Sequence, residues 1–485
     1  MSQNKINKKI INWELVGINP NNKTWDWKDL FCFWGVNIQS IIGFSLIASL
    51  YLIYDLNFLV VFFGSILGSL LVYFFSNFIG GPSQKYGLPF ATFLRVSLGY
   101  SGAKFFGFLR SIVAIFFFGI QTYFLSKFIS YLIRILLFTV DNSILDEDIF
   151  LTFLLGLNII DWSALVLCIL IQIYIFSKGM LFNRKIINFS AITVYFGLIS
   201  FFVLILLSDT RLTTSAFIEI LDYKSFLSYN NIGPTITIAG TVFAYFSIII
   251  ISLGDFTRYI KNKRELKIGN LTLLANLILF SIFAVFIVLG SDIFLNQKFD
   301  DIERIFTSPT DIIGKYDNLQ ITVVVLFFII IASASTNLIA NFIPAQYSLI
   351  NFQPNKLNIK NVSYIIGFLG FIVGILWPTL LSQLSILSLI DTFSCFFGPI
   401  SGVIIINYYI INKSNINVKD IHSVSAESMF YFSKGWHLKA VYSVVIGFIF
   451  ASSTIWNYSL TFLQSYAWII GALASGITYY LLDRR

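Results

Sequence analysis

Charge is what this 485-residue chain has least of: Asp, Glu, Lys and Arg make up 12% of it, where soluble domains carry about 25%. A chain this long with half that charge cannot clothe a water-soluble globule. Its mean hydropathy of +0.81 makes the bilayer the natural solvent. Cysteine is scarce as well. Cys32, Cys168 and Cys395 all lie in apolar stretches, which leaves packing as their role and argues against a disulfide framework or a thiolate metal set. The two histidines, His422 and His437, share one polar segment. No HExxH, CxxC, P-loop or GxSxG pattern occurs, so no hydrolytic or redox machinery is visible and an enzyme is not expected. The polar start, 1–29, has no apolar core of signal-peptide type.

What the chain does have is 57% hydrophobic residues, 53 of them phenylalanine, in nearly unbroken runs such as 58–75 and 187–207. Runs of about 18 residues or more are helical spans, and they lack the alternation of barrel strands. Twelve spans are expected, at 31–51, 56–80, 104–136, 150–177, 187–208, 232–258, 269–293, 319–349, 362–381, 384–411, 438–455 and 459–482. The fold class is an all-α polytopic membrane protein. Its regions are a cytoplasmic arm (1–30), a membrane core (31–411), a cytoplasmic loop (412–437) and two last spans with a short tail (438–485).

Charge bias checks the count. With the N-terminus inside, the arm (Lys5, Lys8, Lys9, Lys23, Lys28), the even-numbered loops and the tail (Arg484, Arg485) hold three quarters of the 32 basic residues. The other side is acidic: Asp141, Asp146, Glu147 and Asp148 in one loop, Asp292, Asp300, Asp301, Glu303, Asp311 and Asp317 in another. This is the positive-inside pattern, with both termini cytoplasmic. The net charge of +8 is thus a topology signal and not a nucleic-acid patch. Richness in Ile, Asn, Lys and Phe suggests an AT-rich bacterial genome, hence an inner (plasma) membrane.

Polar groups inside spans are expensive and are the first functional candidates. They are Gln39 in the first span, Gln121 in the third, Ser333, Ser335, Thr336, Asn337 and Asn341 in the eighth, and Asp391 in the tenth. Ser335–Thr336 and Asn341 are about 8–9 Å apart along a helix, enough for two adjoining sites. Gln39, Gln121 and Asn341 offer the donors and acceptors that read a ring of alternating N–H and C=O. Two hydroxyls with free carbonyls make a hard-oxygen cage for a small cation such as Na⁺. Free carbonyls need broken helices, and the first span holds Gly35 and Gly43, the sixth Gly233-Pro234 and Gly240. Plainer readings stand beside these. The amides serve as interhelical glue, the hydroxyls bond back to their own helix, and Phe117 and Phe246 are core. Asp255 and Arg258 form a surface ion pair. Arg110 snorkels.

These segments resemble the nucleobase:cation symporter-1 family, the permeases of cytosine, uracil, allantoin and hydantoins. The match carries through Asn19-Pro20-Asn21-Asn22-Lys23-Thr24-Trp25, Lys85-Tyr86-Gly87-Leu88-Pro89-Phe90, Phe118-Gly119-Ile120-Gln121-Thr122, Asp255-Phe256-Thr257-Arg258-Tyr259, Ser335-Thr336-Asn337 with Ala340-Asn341, Gly398-Pro399-Ile400-Ser401-Gly402 and Lys434-Gly435-Trp436. The resemblance implies a leucine-transporter-type fold, two inverted five-helix repeats plus two helices. It implies that Gln39, Gln121 and Asn341 hydrogen-bond the substrate ring and that Phe117 and Phe246 close its two faces, where the family often has tryptophan. It implies Na⁺ between the first and eighth spans, on Ser335 and Thr336 and the carbonyls of Gly35, Ile38 and Ala332. No cofactor is implied beyond that coupling ion, and a monomer is expected.

Asp391 departs from the family pattern. It is either a proton site or a group that lines a wet cavity or pairs with a nearby hydroxyl. The reading is a Na⁺-coupled importer of a small cyclic amide. The alternatives are a proton-coupled permease for a pyrimidine, thiamine precursor or other heterocycle, and a non-transporting receptor or channel.

Overall fold

The computed structural model describes residues 11–483, apart from 53–55, 142, 209, 220–225, 299–304, 316–317 and 385. Lys5, Lys8, Lys9, Arg484, Arg485, Asp300, Asp301, Glu303 and Asp317 lie outside the described residues. Among the described residues there is no strand, only three isolated bridges.

Among the described residues, fourteen helices build the spans: α1 Trp27–Ile38, α2 Ile41–Leu52, α3 Phe58–Tyr86, α4 Phe90–Val140, α5 Ile159–Phe176, α6 Met180–Ser208, α7 Ile232–Ile251, α8 Lys263–Lys298, α9 Leu319–Asn337, α10 Ile343–Phe352, α11 Ile359–Leu376, α12 Ile386–Ile405, α13 Leu438–Trp456 and α14 Ala467–Asp483. Among the described residues, eleven spans are long and apolar enough to cross a membrane, and α1 with α2, bent by 68°, makes a twelfth. Side-chain caps fix many starts. Asn57, Asn158, Asn318 and Asn358 each accept a hydrogen bond from a first-turn amide, and Asp26 with Asp29 forms a capping box.

Several boundaries differ from expectation. The fourth span begins at Ile159, not near 150, because Asn158 caps it and the preceding residues form only short turns. The third runs back to Phe90 across a break at Gly99 (φ 77°). A Cβ there would meet the Gly435 carbonyl at 2.5 Å, so only glycine suits both the backbone and the contact. The Gly435 carbonyl instead accepts from the Ser101 and Gly102 amides, which fastens the 412–437 loop to α4.

The glycines expected to break helices do not. Gly35 lies inside α1 and Gly43 inside α2, and the bend falls between them at Gln39–Ser40. In the sixth span, Gly233, Pro234 and Gly240 all lie inside α7, which stops only at Ser252. A proline in the first turn of a helix removes no hydrogen bond, so Pro234 is tolerated there. The eighth span does loosen where glycine gave no sign. A π-turn, Leu338–Phe342, joins α9 to α10 just ahead of Pro344.

One face of the bundle is closed by the N-terminal arm. Asn12 Nδ2 donates to the Pro354 and Leu357 carbonyls at 2.9 Å, Ile18 N to Gly87 O, and Trp25 N to Tyr259 O. Arg184 at the start of α6 grips Asp29 with two bonds of 2.7 Å. Arg258 donates to the Glu14 and Val16 carbonyls; it and Asp255 are buried (3% and 0% exposed), so the expected surface ion pair is not what forms.

Candidate substrate and cation site

The polar residues of the eighth span meet α4 at mid-depth. Asn341 lies in the π-turn, and its Nδ2 donates to Gln121 Oε1 at 3.1 Å and to Asn337 Oδ1 at 2.9 Å. Asn337 Nδ2 in turn reaches Thr122 Oγ1 and Gln172 Oε1, each at 2.9 Å. The π-turn brings Asn341 and Asn337 into line with Gln121 and gives the chain of amides its reach. Among the described residues, Gln121 Nε2 donates no hydrogen bond to protein and Asn341 Oδ1 accepts none. One free donor and one free acceptor thus stand on a bonded pair of amides.

Gln121 and Thr336 line a cavity of about 310 Å³, with Ser40, Ser45, Ser49, Phe124, Ser333 and Ile386. Its walls are α2, the later half of α4, the end of α9 next to the π-turn and the start of α12. The size suits a small heterocycle, at the low end of ligand pockets of about 300–1,000 Å³.

Thr336 adjoins the bend of the first span. Its hydroxyl lies 2.8 Å from the Val36 carbonyl of α1 and 2.9 Å from the Ala332 carbonyl of α9, and its proton is shared between them. Ser335 Oγ donates to Ile331 O at 2.8 Å and Ala332 O at 3.1 Å. The other two expected carbonyls sit close by with different partners. Gly35 O accepts from Gln39 N at 2.9 Å, and Ile38 O faces Gly43 at the start of α2. The cluster is made of uncharged hard oxygens at a helix break, a donor set suited to Na⁺.

The remaining expected residues stand apart from this centre. Gln39 does not join the other amides. It caps α1, and its Nε2 donates to Ala191 O of α6 at 3.4 Å, while Oε1, buried, has no partner among the described residues. The cause is the bend, which turns Gln39 toward α6 and α9, where it lines a narrow cavity of about 70 Å³. Phe117, one turn from Gln121, packs edge-on against Phe393 of α12 (5.8 Å). Phe246 of α7 packs against Trp34 of α1 (6.0 Å). The aromatic ring on Gln121's own cavity is Phe124, not singled out from the sequence.

Arg110 does not snorkel. It is 1% exposed, and its Nη2 donates to Ile248 O (3.4 Å), Ser252 Oγ (3.1 Å) and Ala340 O (3.3 Å). Asp391 accepts from Gln464 Nε2 at 2.7 Å and lines a separate cavity. Sequence reasoning also missed Gln172, a lone amide in an apolar span. The cost of such a group in a membrane was signal enough to find it.

Comparison with known proteins places this geometry in context. The family described as a permease for cytosine/purines, uracil, thiamine and allantoin matches residues 18–475. The chain is 24% identical over 486 residues to the allantoin permease of Bacillus subtilis (strain 168), covering all of this chain and 95% of that one. It is 26% identical over 373 residues to the purine-uracil permease NCS1 of Arabidopsis thaliana, covering 76% of this chain and 59% of that longer one. Among solved structures it superposes on Mhp1, a nucleobase-cation-symport-1 family transporter in a closed conformation with bromovinylhydantoin bound. The TM-score is 0.74 at 14% identity, over 98% of this chain and 95% of that one. That likeness shows the fold: two inverted five-helix repeats followed by two further helices.

Proposed function

We propose, from a chain that belongs to the family of permeases for cytosine and purines, uracil, thiamine and allantoin, a symporter that imports a small cyclic amide together with Na⁺. Its relatives are permeases, not enzymes. The observation that carries the reading is the Gln121–Asn341 pair, bonded at 3.1 Å with one donor and one acceptor left over. A free N–H beside a free C=O complements a ring edge that presents C=O beside N–H. Uracil, cytosine, allantoin and hydantoins all carry such an edge. A ring without an adjacent donor and acceptor leaves buried groups unpaired, at about 1–3 kcal/mol each.

The oxygens of Thr336, Ser335, Ala332 and Val36 support Na⁺ as the coupling ion. When bound, Na⁺ supplies charge that holds α1 against α9. The charge bias orients the arm face toward the cytoplasm of a bacterial inner membrane, so the cavities open outward. Transport then follows by alternating access: the arm face loosens as the outer half of α12 closes over the solute. Selectivity rests on Gln121 and Asn341, and Phe124 offers the ring a π face.

A proton-coupled reading draws on Asp391, the carboxylate in an outer cavity. Uptake of labelled cytosine, uracil and allantoin into proteoliposomes separates the two. An imposed Na⁺ gradient should drive accumulation of at least one solute with a protonophore present. Accumulation that needs a proton gradient and ignores Na⁺ would replace the cation assignment. No accumulation of any heterocycle under either gradient would sink the transport reading.

A further inference from the structure

A second outer cavity lies on the other side of α2. Leu46 lines both, so a single helix separates them. This second cavity holds about 610 Å³ between α2, α7, α12 and the 3₁₀ segment Tyr458–Tyr466 that leads into α14. Leu46, Leu50, Ile238 and Ile390 give it apolar walls, and Thr241 and Ser465 add hydroxyls. One charged group faces it, Asp391. Gln464 Nε2 donates to Asp391 Oδ2 at 2.7 Å, and among the described residues Oδ1 accepts no hydrogen bond.

Three physical points bear on what this cavity takes. An ionised carboxylate only accepts, so Oδ1 calls for a donor. A carboxylate in a spanning helix is costly and persists where water, a solute or an ion meets it. The cavity also reaches the transport machinery. Tyr245 lines it, and the Tyr245 hydroxyl lies 2.6 Å from Ser40 Oγ and donates to Asn37 O at 3.3 Å, at the bend of the first span. Ser40 in turn lines the Gln121 cavity.

We propose that this cavity is an outer staging site for the solute. Asp391 Oδ1 accepts from a ring or amino N–H, Gln464 holds the carboxylate in place, and the apolar walls cover the ring faces. The ligand class is a small, flat heterocycle bearing N–H donors, which passes from here to the amide pair on the far side of α2. The inference rests on the transport reading above. It adds a second, separately mutable binding event.

A cysteine reporter tests it. Ser465→Cys places a thiol on the cavity wall, and Cys32, Cys168 and Cys395 are buried. The probe is whichever of cytosine, uracil or allantoin the cells accumulate. It should slow maleimide labelling of Cys at 465 several-fold. Protection should persist in the Gln121→Ala background and vanish with Asp391→Asn. In uptake, Asp391→Asn should raise KM about tenfold and leave the maximal rate within about twofold, since an acceptor is lost and the central site is intact. Protection abolished by Gln121→Ala and kept by Asp391→Asn would make it a distant echo of central binding and overturn the staging site. So would unprotected labelling in cells that do take up the probe. Cells that accumulate none of the three probes would refute the transport reading itself.

Discussion

The Thr336 hydroxyl stands 2.8 Å from the Val36 carbonyl, and this contact joins α9 to α1 right before the bend at Gln39–Ser40. The same hydroxyl is 2.9 Å from Ala332 O. It is therefore a hinge point between two helices as well as a candidate cation ligand. Thr336→Ala should raise the Na⁺ concentration for half-maximal uptake about 2- to 13-fold, the span of one hydrogen bond worth about 0.5–1.5 kcal/mol. Solute affinity at saturating Na⁺ should change little, and Thr336→Ser should restore the wild-type response. The measurement is uptake against Na⁺ at fixed solute. An unchanged Na⁺ curve in Thr336→Ala takes the residue out of the cation site.

Gln121 and Asn341 share a hydrogen bond, so their effects should not add. Gln121→Ala and Asn341→Ala should each weaken solute binding by about 5- to 150-fold, the cost of unpaired amides at about 1–3 kcal/mol. The double variant should lose less than the two losses summed, because either single change already leaves the other amide without its partner. Equilibrium binding to purified protein reads all three. Strict additivity, or wild-type affinity in either single variant, means the solute is read elsewhere.

His422 sits half-buried in the 412–437 loop, and among the described residues neither of its buried ring nitrogens has a hydrogen-bond partner. Burial, and then the nearby Arg95 charge, push its pKa from 6.5 down to about 4. The sign follows directly: the fold holds the neutral ring, so its stability is full above about pH 6.5 and falls as pH drops toward 4. Thermal melting of the protein in detergent between pH 7.5 and 4.5 should show wild type losing more stability than His422→Gln. Parallel losses in the two would mean the acid sensitivity lies in other groups.

Much of this was legible in the sequence, and the reasons differ by feature. The spans follow from long apolar runs, and the charge bias fixed their count. The eighth-span polar residues stood out because hydrocarbon makes them costly. Gln39, expected beside the other two amides, is turned toward α6 instead. Its direction depends on where the first span bends, and glycine placement pointed to neighbours on either side of that bend. The π-turn that aligns Asn341 with Gln121 has no local signature apart from Pro344. Contacts such as Arg110 with Ala340 join residues 230 positions apart and need the packed bundle to appear.

Arg110 is where the bundle's elements on the arm side of the site converge. From α4 it bonds the last turn of α7 at Ile248 and Ser252, and it bonds Ala340 in the π-turn, one residue from Asn341. Among the described residues its Nε and Nη1 have no hydrogen-bond partner, so all its hydrogen bonds pass through one nitrogen. On the proposed alternating access, opening the arm face parts α7 and the π-turn from α4 and breaks these bonds. Lysine keeps the charge but lacks the planar fork, so Arg110→Lys should weaken the closure without emptying the site of charge. Losing one bond to a charged donor, about 1.5–3 kcal/mol, shifts the balance of open and closed forms by about 10- to 150-fold. A cysteine placed at Ser348, buried on α10, reports the change. Its alkylation should speed up in Arg110→Lys while binding to the Gln121–Asn341 pair persists. Should alkylation stay as slow as in wild type and uptake stay normal, Arg110 is packing alone, and the closure must be sought in the arm contacts of Asn12, Asp29 and Arg184.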